Sequence, residues 1–205
     1  MWELYKKQPN FVLGFHGCDE SVGETVLSGK GHLAPSNNGY DWLGSGIYFW
    51  EGNPARALEF AQQAATNPRI TKGRITTPFV LGAVIDLGLC FNLLDSTALG
   101  ELAKAHEIMK ILFAATKKPL PQNIGGEDRL KRHLDRAVIE MMHVMREQTH
   151  LPQYDSLRAP FWEGGELYPS AGFSAKAHIQ IAIRNVGCIK GYFRPIAREV
   201  ASKRT

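Results

Sequence analysis

The stretch "LGSGIYFWEGNPARALEFA", residues 43–61, places three consecutive aromatic residues between a glycine-rich turn and a helix start. The segment "GIYFW" is typical of a strand, in which Tyr48 and Trp50 point to one face and Phe49 to the other. Asn53 and Pro54 then supply an N-cap and a first-turn proline for a helix over "PARALEFAQQAAT". The stretch therefore predicts a strand–turn–helix unit with its aromatic surface at the mouth of a turn.

Three other segments predict further strands. "NFVLGFHG", residues 10–17, alternates apolar and other residues and ends in a histidine and a glycine. "FVLGAVIDL", residues 79–87, is apolar throughout, as a strand buried on both faces would be, and "AHIQIAIRN", residues 177–185, alternates again. "IKGYFRP" closes the sheet. Helices separate these strands, and the length fits a single domain over residues 1–205.

Between the strands, residues 96–150 change to a helical period and predict a helical insertion. Ser96 is the expected N-cap of the first helix, and a second helix is expected after Gly125 and Gly126. Residues 151–173 are rich in glycine, proline and aromatic residues, which predicts a long irregular loop of the functional or mobile kind.

The composition is that of a globular protein, with 44% hydrophobic and 21% charged residues among 205. A net charge of +4 permits a polyanionic partner without requiring one. The three cysteines (Cys18, Cys90 and Cys188) and the histidines show no disulfide framework or metal-ligand spacing, so no metal is expected. The first residues lack an apolar signal core, and the longest apolar run is too short to span a membrane. We therefore expect a cytoplasmic protein with no membrane partner.

The order of these motifs resembles a known family. "FHG" at residues 15–17 is followed by "VLSGKGHLAP" at 26–35 and by "GYDWLGSGIYF" at 39–49, with His16 and Tyr48 separated by 32 residues. This order is similar to the NAD-binding half of ADP-ribosyltransferases of the poly(ADP-ribose) polymerase and diphtheria-toxin type. The resemblance covers residues 11–61, is weaker over 177–195 and is absent between. It implies an α+β fold with split antiparallel β-sheets around an NAD cleft and the helical insertion, about residues 96–150, beside them.

The resemblance also implies residue roles in binding NAD, the donor substrate. In the family the histidine binds a ribose hydroxyl, the backbone of the next glycine pairs with the nicotinamide amide, and the tyrosine stacks on the nicotinamide ring. His16, Gly17 and Tyr48 occupy those positions, and Tyr40 and Gly46 belong to the same NAD-binding motif. A flat tyrosine ring suits stacking, and a glycine lets the dinucleotide approach the backbone.

This sequence departs from the family pattern at three positions. The family's second stacking tyrosine is replaced by glutamate at 59, where Phe60 is the nearest aromatic and is either a substitute or a helix core residue. Arg56 stands where the family has an amide-binding serine. Gln180 aligns with the catalytic glutamate, with His178 two residues earlier on the same strand face. Glutamine can accept a ribose hydrogen bond but cannot take a proton, so either the acceptor is already nucleophilic or another group is the base.

Candidates for that base lie in "YDSLRAPFWEGGELYPSAGF", residues 154–173, which borders the acceptor in the family. Asp155, Glu163 and Glu166 are its carboxylates, and each is either a base or a solvated loop charge. Arg158 is a candidate phosphate clamp. The segment also carries aromatic residues that could stack on a base: Tyr154, Phe161, Trp162, Tyr168 and Phe173.

The resemblance thus implies an NAD-dependent mono-ADP-ribosyltransferase with His16, Tyr48 and Gln180 as catalytic residues. Arg158, Glu163, Glu166 and His178 are its expected substrate-binding residues. RNA is the favoured acceptor, and the expected role is a toxin of a toxin–antitoxin or phage-defence system with an antitoxin protein as partner. Three alternatives stay open: a pseudoenzyme that binds NAD or ADP-ribose, an NAD-dependent RNA 2′-phosphotransferase, and a protein-modifying ADP-ribosyltransferase.

Overall fold

The structure, a computed structural model, describes residues 11–196. The N-terminal segment discussed above lies outside the described residues. The elements of the first half are β1 (Val12–Asp19), α1 (Glu20–Leu27), β2 (Ile47–Glu51), α2 (Pro54–Thr66), β3 (Pro78–Ile85) and β4 (Cys90–Asn92). Those of the second half are α3 (Ser96–Ala115), β5 (Asn123–Ile124), β6 (Lys131–Arg132), α4 (His133–Gln148), β7 (Ser156–Phe161), β8 (His178–Ile183) and β9 (Ile189–Phe193).

The described strands form one mixed, mostly antiparallel seven-stranded sheet and one two-stranded hairpin. The order in the large sheet is β4-β7-β8-β2-β1-β3-β9, and only the β4–β7 pair is parallel within it. With four α-helices this is an α+β protein, as the sequence predicted. The predicted division into two separate sheets is wrong for these strands, because the ladders connect all seven. The connection is narrow, however, since β1 and β2 are paired only at Gly14–Glu51 and Phe15–Trp50.

One face of the sheet holds a core to which both halves contribute. Phe49 and Ile181 from the β2–β8 half are buried in the same cluster as Leu81 and Ile85 of β3. Strands on both sides of the narrow joint share this core, so packing on this face holds the two halves together as well as the β1–β2 ladder does. The joint is the structural boundary between the two halves.

Helix α2 packs closely against the other face of β1. Its N-cap is Asn53, whose side chain accepts from the backbone N–H of Arg56, as predicted from "NPAR". A Cβ atom built on Gly17 would lie 2.2 Å from the carbonyl oxygen of Ala57. Gly17 is thus required for the contact between β1 and α2, whatever else it does.

Helices α3 and α4 cover this same face on the far half and form the predicted insertion. Helix α3 begins at Ser96, but its N-cap is Asp95, whose carboxylate accepts from the backbone of residues 97 and 98. The helices surround a second core with Phe91, Met109 and Ile139. No helix among residues 11–196 is long and apolar enough to cross a membrane.

The expectation of an irregular loop over residues 151–173 is wrong for its central part. Residues 156–161 form β7, which is paired with β8 along its whole length. Arg158 and Pro160 obscured this strand, because a charge and a proline are rare in a central strand. The irregular segment that the structure retains is residues 162–177, between β7 and β8, and is called the β7–β8 loop below.

The close approach at Gly17 yields a stability prediction. Gly17→Ala should lower the free energy of unfolding by about 1–3 kcal/mol, because backbone at Ala57 must shift to admit the methyl group. Urea denaturation measures this change. Gly100→Ala in α3 is the control, since nothing lies within 4 Å of its Cβ position, and it should be neutral or stabilising by up to about 1 kcal/mol. Equal stability of the two variants would contradict the close packing of α2 on β1.

Candidate functional site

The candidate site is centred on the place where β1 and β2 separate. Beyond the two paired positions, residues 17–19 of β1 and 47–48 of β2 face each other without a ladder, and this gap is called the seam below. His16 closes its inner end, with Nδ1 2.8 Å from the carbonyl oxygen of Tyr48. Since the carbonyl can only accept, Nδ1 carries the proton, and Nε2 of the neutral ring is an acceptor. Burial lowers the pKa of His16, against the raising effect of this hydrogen bond, and so favours the neutral ring.

The backbone of Gly17 faces the seam. The carbonyl of Leu13 accepts from the N–H of Gly52, so the odd-numbered residues of β1 direct their backbone groups toward β2. At Gly17 the ladder with β2 has already ended. Its N–H and C=O are therefore directed at the seam, where a planar amide could pair with both.

Tyr48 is fixed by its hydroxyl group. The hydroxyl accepts from the backbone N–H of Leu43 at 3.0 Å and donates to the carbonyl of Gly44 at 2.7 Å. Burial raises the pKa of Tyr48 well above its ordinary value, so the phenol is neutral. The hydroxyl thus holds the preceding turn, and only the half-buried ring is left to contact a ligand.

The turn before β2 is held from both sides. Gly46 exchanges two backbone hydrogen bonds with Ser36, and the N–H of Ser45 donates to Glu140 of α4 at 2.9 Å. Tyr40 packs edge-on against His133 at the start of α4, with ring centroids 6.3 Å apart. The helical insertion therefore supports the turn that carries Tyr40, Gly46 and Tyr48.

Gln180 is engaged by a tryptophan from the same turn. Trp42 donates its indole N–H to Oε1 of Gln180 at 2.6 Å. The Trp42 ring packs on Phe161, and the Arg132 guanidinium lies over both rings, at 5.1 and 4.3 Å from their centroids. The amide oxygen keeps one lone pair for a ribose hydroxyl, and the amide NH₂ is the group left to donate.

His178 is buried on the same strand face as Gln180. Nδ1 donates to the carbonyl of Lys176 at 2.7 Å, and its ring packs on Phe161 and near Trp50. Burial is the largest cause that lowers the pKa of His178. Phe60 of α2 packs on Trp50, with centroids 5.1 Å apart, so it extends this aromatic wall. Whether it also stacks on a ligand stays a prediction.

Of the predicted loop carboxylates, Glu163 alone reaches this wall. It forms an ion pair with Arg56, whose guanidinium is mostly buried at the start of α2. Glu166 is exposed and accepts from the backbone N–H of Ser170 within the β7–β8 loop. Asp155 lies elsewhere, where it accepts from the N–H of Leu89.

Arg158 lies on the opposite face of the sheet from Gln180. One edge of its guanidinium is held by Glu51, with Nε and Nη2 at 2.6 and 2.9 Å from the carboxylate oxygens. To clamp a phosphate, Arg158 would have to leave this bidentate pair. The structure therefore separates Arg158 from the other predicted substrate-binding residues.

His16, Gly17 and Tyr48 line the seam, whereas Gln180 and His178 lie on β8, on the far side of β2, with Gln180 opposite Trp50. His16 lies on the face of Phe49, and its ring contacts that ring at 5.8 Å between centroids. Tyr48, Gln180 and His178 lie on the other face, as their ladder partners show. A ligand that touches both sets must pass through the seam between β1 and β2.

Two concavities lie away from this region. One of about 470 Å³ is lined by residues of α3 and α4, including Lys104, Ile108 and Met145. Another of about 330 Å³ is lined by Glu140, His143 and Arg184, among others. Within the part of the chain that the structure describes, no group of three or more His, Cys, Asp or Glu residues could hold a metal ion.

Sequence reasoning missed the contributions of Trp42, Trp50 and Arg132, and noted Arg56 only as a departure from the family pattern. Trp42 was within the motif "GYDWLGSG", but its partner Gln180 is 138 residues away. The local signal was the presence of a bulky N–H donor in a turn of otherwise small and polar residues.

Comparison of the chain with protein-family models, curated proteins and solved structures gives no significant match.

Mutation can separate two roles of Tyr48: its hydroxyl holds the turn, and its ring is left to contact a ligand. Tyr48→Phe keeps the ring but leaves Leu43 N–H and Gly44 C=O without the hydroxyl, which should destabilise the fold by about 1–3 kcal/mol. Chemical denaturation gives this value. Tyr192→Phe on β9 is the control for loss of a tyrosine hydroxyl outside the turn. If Tyr48→Phe is as stable as the unmodified protein, the hydroxyl does not hold the turn.

Proposed function

We propose that this protein is an NAD-dependent mono-ADP-ribosyltransferase that transfers ADP-ribose to RNA. The observation that carries the proposal is the seam: the motif residues His16, Gly17 and Tyr48, chosen by resemblance, lie on its two sides. Gln180 lies on β8, the next strand to β2. In the proposed arrangement, a single sheet that opens at the joint between β1 and β2 takes the place of the two separate sheets of the family.

The donor would be held by three different kinds of contact. Nε2 of His16 would accept from a ribose hydroxyl, because Nδ1 is committed to Tyr48. The backbone N–H and C=O of Gly17 would pair with the nicotinamide carboxamide. The ring of Tyr48 would cover the nicotinamide, and Tyr40, Gly46 and Phe60 would complete the walls.

The reaction breaks the bond between nicotinamide nitrogen and the anomeric carbon, and the electron pair leaves with nicotinamide. The acceptor then bonds to the anomeric carbon and loses its proton. Gln180 would orient the ribose through its remaining lone pair while positive charge develops at that carbon. It cannot accept the acceptor's proton, so the acceptor must be nucleophilic by itself or must use His178 or Glu163 as base.

RNA is the proposed acceptor because of the loop beside Gln180. Trp162, Tyr168 and Phe173 of the β7–β8 loop are 54, 55 and 67% exposed, unlike the inward-facing Phe161. Exposed aromatic rings stack on the bases of single strands without sequence preference. A net charge of +4 favours a polyanion. The toxin role, with an antitoxin as partner, is supported by the motif resemblance alone.

An NAD-binding pseudoenzyme is the second candidate. Gln180 replaces a proton-accepting residue, and its amide oxygen is already bound by the Trp42 indole. Both features favour binding over turnover.

Cleavage of NAD by the purified full chain tests the proposal. The unmodified protein should release nicotinamide, and His16→Ala should reduce the rate at least about tenfold, since a lost ribose contact of roughly 1.4 kcal/mol in the transition state has this effect. Chromatographic quantification of nicotinamide measures both rates. His106→Ala on the surface of α3 is the control and should keep the full rate. If the unmodified protein binds NAD in calorimetry but does not cleave it, the pseudoenzyme is favoured.

Substitution at Gln180 tests how the ribose is oriented. Gln180→Ala should lower the rate of transfer more than NAD affinity, because orientation matters most as charge develops. Gln180→Glu should retain the Trp42 contact through a carboxylate oxygen and raise NAD hydrolysis, because the carboxylate can activate water. Gln153→Glu is the control for the rates and affinities. The amide of Gln153 also contacts an aromatic nitrogen, Nδ1 of His143. If both Gln180 variants behave like the unmodified protein, Gln180 does not contact the ribose.

The acceptor is tested with labelled NAD and total cellular RNA and protein. Label should enter a fraction that survives protease and is lost with ribonuclease. Replacing Trp162 and Phe173 by alanine should reduce this labelling at least about tenfold at subsaturating RNA, because each stacked base contributes roughly 1–3 kcal/mol. Label that follows protein instead would assign the activity to protein modification.

A further inference from the structure

Three buried nitrogen atoms around α2, β2 and β8 have no hydrogen-bond partner among residues 11–196. They are Nε1 of Trp50, Nε of Arg56 and Nε2 of His178. The three residues are only 5, 8 and 8% exposed. Buried polar atoms without a partner are rare in folded proteins, so three of them in one region require an explanation.

The three residues are connected by one ion pair, which Arg56 forms, and by the packing of His178 near Trp50. Arg56 Nη2 contacts Oε1 of Glu163, and the second carboxylate near this guanidinium, Glu59, is 3.5 Å from Nη1. Arg56 and Glu163 are both close enough to His178 to influence its charge, and the His178 ring lies 6.2 Å from that of Trp50. The Glu163 carboxylate thus contacts Arg56 and lies near His178, but the three nitrogen atoms stay unsatisfied.

The hydrogen-bonding capacity of the unsatisfied atoms defines which ligand group would fit this region better than the Glu163 carboxylate does. Arg56 Nε–H and Trp50 Nε1–H can only donate. His178 donates from Nδ1 to the Lys176 carbonyl, so Nε2 of its neutral ring can only accept. A ligand must therefore offer accepting oxygens and one hydroxyl. A carboxylate lacks the hydroxyl, and a phosphodiester lacks it too, whereas a phosphate monoester in its singly charged form carries both.

We propose that Trp50, Arg56 and His178 form a binding site for a phosphate monoester, which the Glu163 carboxylate fills when no ligand is bound. The phosphate would replace Glu163 on Arg56, use its charged oxygens for the two N–H donors, and donate its hydroxyl to His178. Arg suits this role because its planar fork of N–H groups matches two phosphate oxygens.

Entry to the site requires movement of the β7–β8 loop. Glu163 is near the start of this loop, whose following residues 164–170 are exposed. Besides the Arg56 pair, the loop is held by the N–H of Gly164, which donates to Asp128 at 2.9 Å. A tethered carboxylate competes with a free ligand as if it were present at about millimolar concentration. Removing its charge should therefore expose the site.

Inorganic phosphate is the probe, and the readout is thermal unfolding of the full chain at rising phosphate concentration, with sodium chloride at equal ionic strength as reference. Glu163→Gln should bind phosphate at least about tenfold more tightly than the unmodified protein, and the unfolding temperature should rise accordingly. Glu51→Gln is the matched control. It weakens another mostly buried arginine–glutamate pair, the one with Arg158, and no nitrogen atom of Arg158 is among the unsatisfied buried atoms of the described residues.

Stabilisation of Glu163→Gln but not of Glu51→Gln supports the site. Equal stabilisation of both variants would mean an adventitious ion only, and no stabilisation of either would overturn the proposal. If Glu163→Gln does not fold even with phosphate, Trp50→Phe decides, because it keeps a ring but removes one donor. It should weaken phosphate binding several-fold relative to the unmodified protein, and unchanged binding would overturn the site.

The source of the phosphate is distinguished in a second arm. A 5′-phosphorylated oligoribonucleotide and adenosine 2′-phosphate are each compared with the unphosphorylated counterpart in displacing inorganic phosphate from Glu163→Gln. If phosphorylation improves displacement by the oligoribonucleotide, the site is assigned to an RNA end. If it improves displacement by the nucleoside, the site is assigned to a nucleotide. If phosphorylation improves displacement by neither, the monoester assignment is overturned. None of these measurements involves NAD, so the site stands or falls independently of the proposed transferase activity.

Discussion

The hydrogen bond from the His16 ring to the Tyr48 carbonyl is the contact on which the arrangement of this protein depends. It follows the last ladder pair between β1 and β2, at the only joint between the two halves of the described large sheet. A side chain here replaces what would otherwise be the next backbone pairing. The two strands can therefore separate while their positions stay fixed. The separation leaves the backbone of Gly17 directed at a gap, and the same bond fixes the tautomer of His16.

The aromatic run at residues 48–50 is explained by the three hydrophobic clusters that meet at this strand. Phe49 is buried in the core that the two halves share, while Tyr48 packs beside the helical insertion and Trp50 beside α2. One five-residue strand thus contacts three packing layers, which requires large side chains on both of its faces. The polar atoms differ in their use. The Tyr48 hydroxyl is satisfied by the turn, whereas the Trp50 indole N–H is buried without a partner. The same alternation that builds the core therefore leaves a polar group available for a ligand.

Local signals were sufficient for β1, β2, α2 and β8, because alternation, the Asn53 cap and the Pro54 position act within a few residues. They failed at β7, where Arg158 is tolerated in a central strand only because Glu51, 107 residues earlier, neutralises it. The continuous sheet and the contact from Trp42 to Gln180 depend on pairings between distant segments, which no local pattern encodes. Motif resemblance selected residues that lie around the seam, but it also grouped Arg158 with them, although alternation along β7 directs Arg158 to the opposite face.

The glutamine at position 180 is best understood from its surroundings. A carboxylate there would accept from Trp42 at least as well, since hydrogen bonds to charged acceptors are the stronger ones. Holding Trp42 therefore does not explain a neutral amide. Charge offers a better explanation, because a carboxylate and a phosphate about 6 Å apart repel each other by roughly 3 kcal/mol at an effective dielectric constant of 20. With glutamine, the nearby charges are the Arg132 guanidinium over Trp42 and the Arg56–Glu163 pair beside His178. A neutral residue at this position cannot accept a proton, but it is compatible with the phosphate-bearing ligand proposed above.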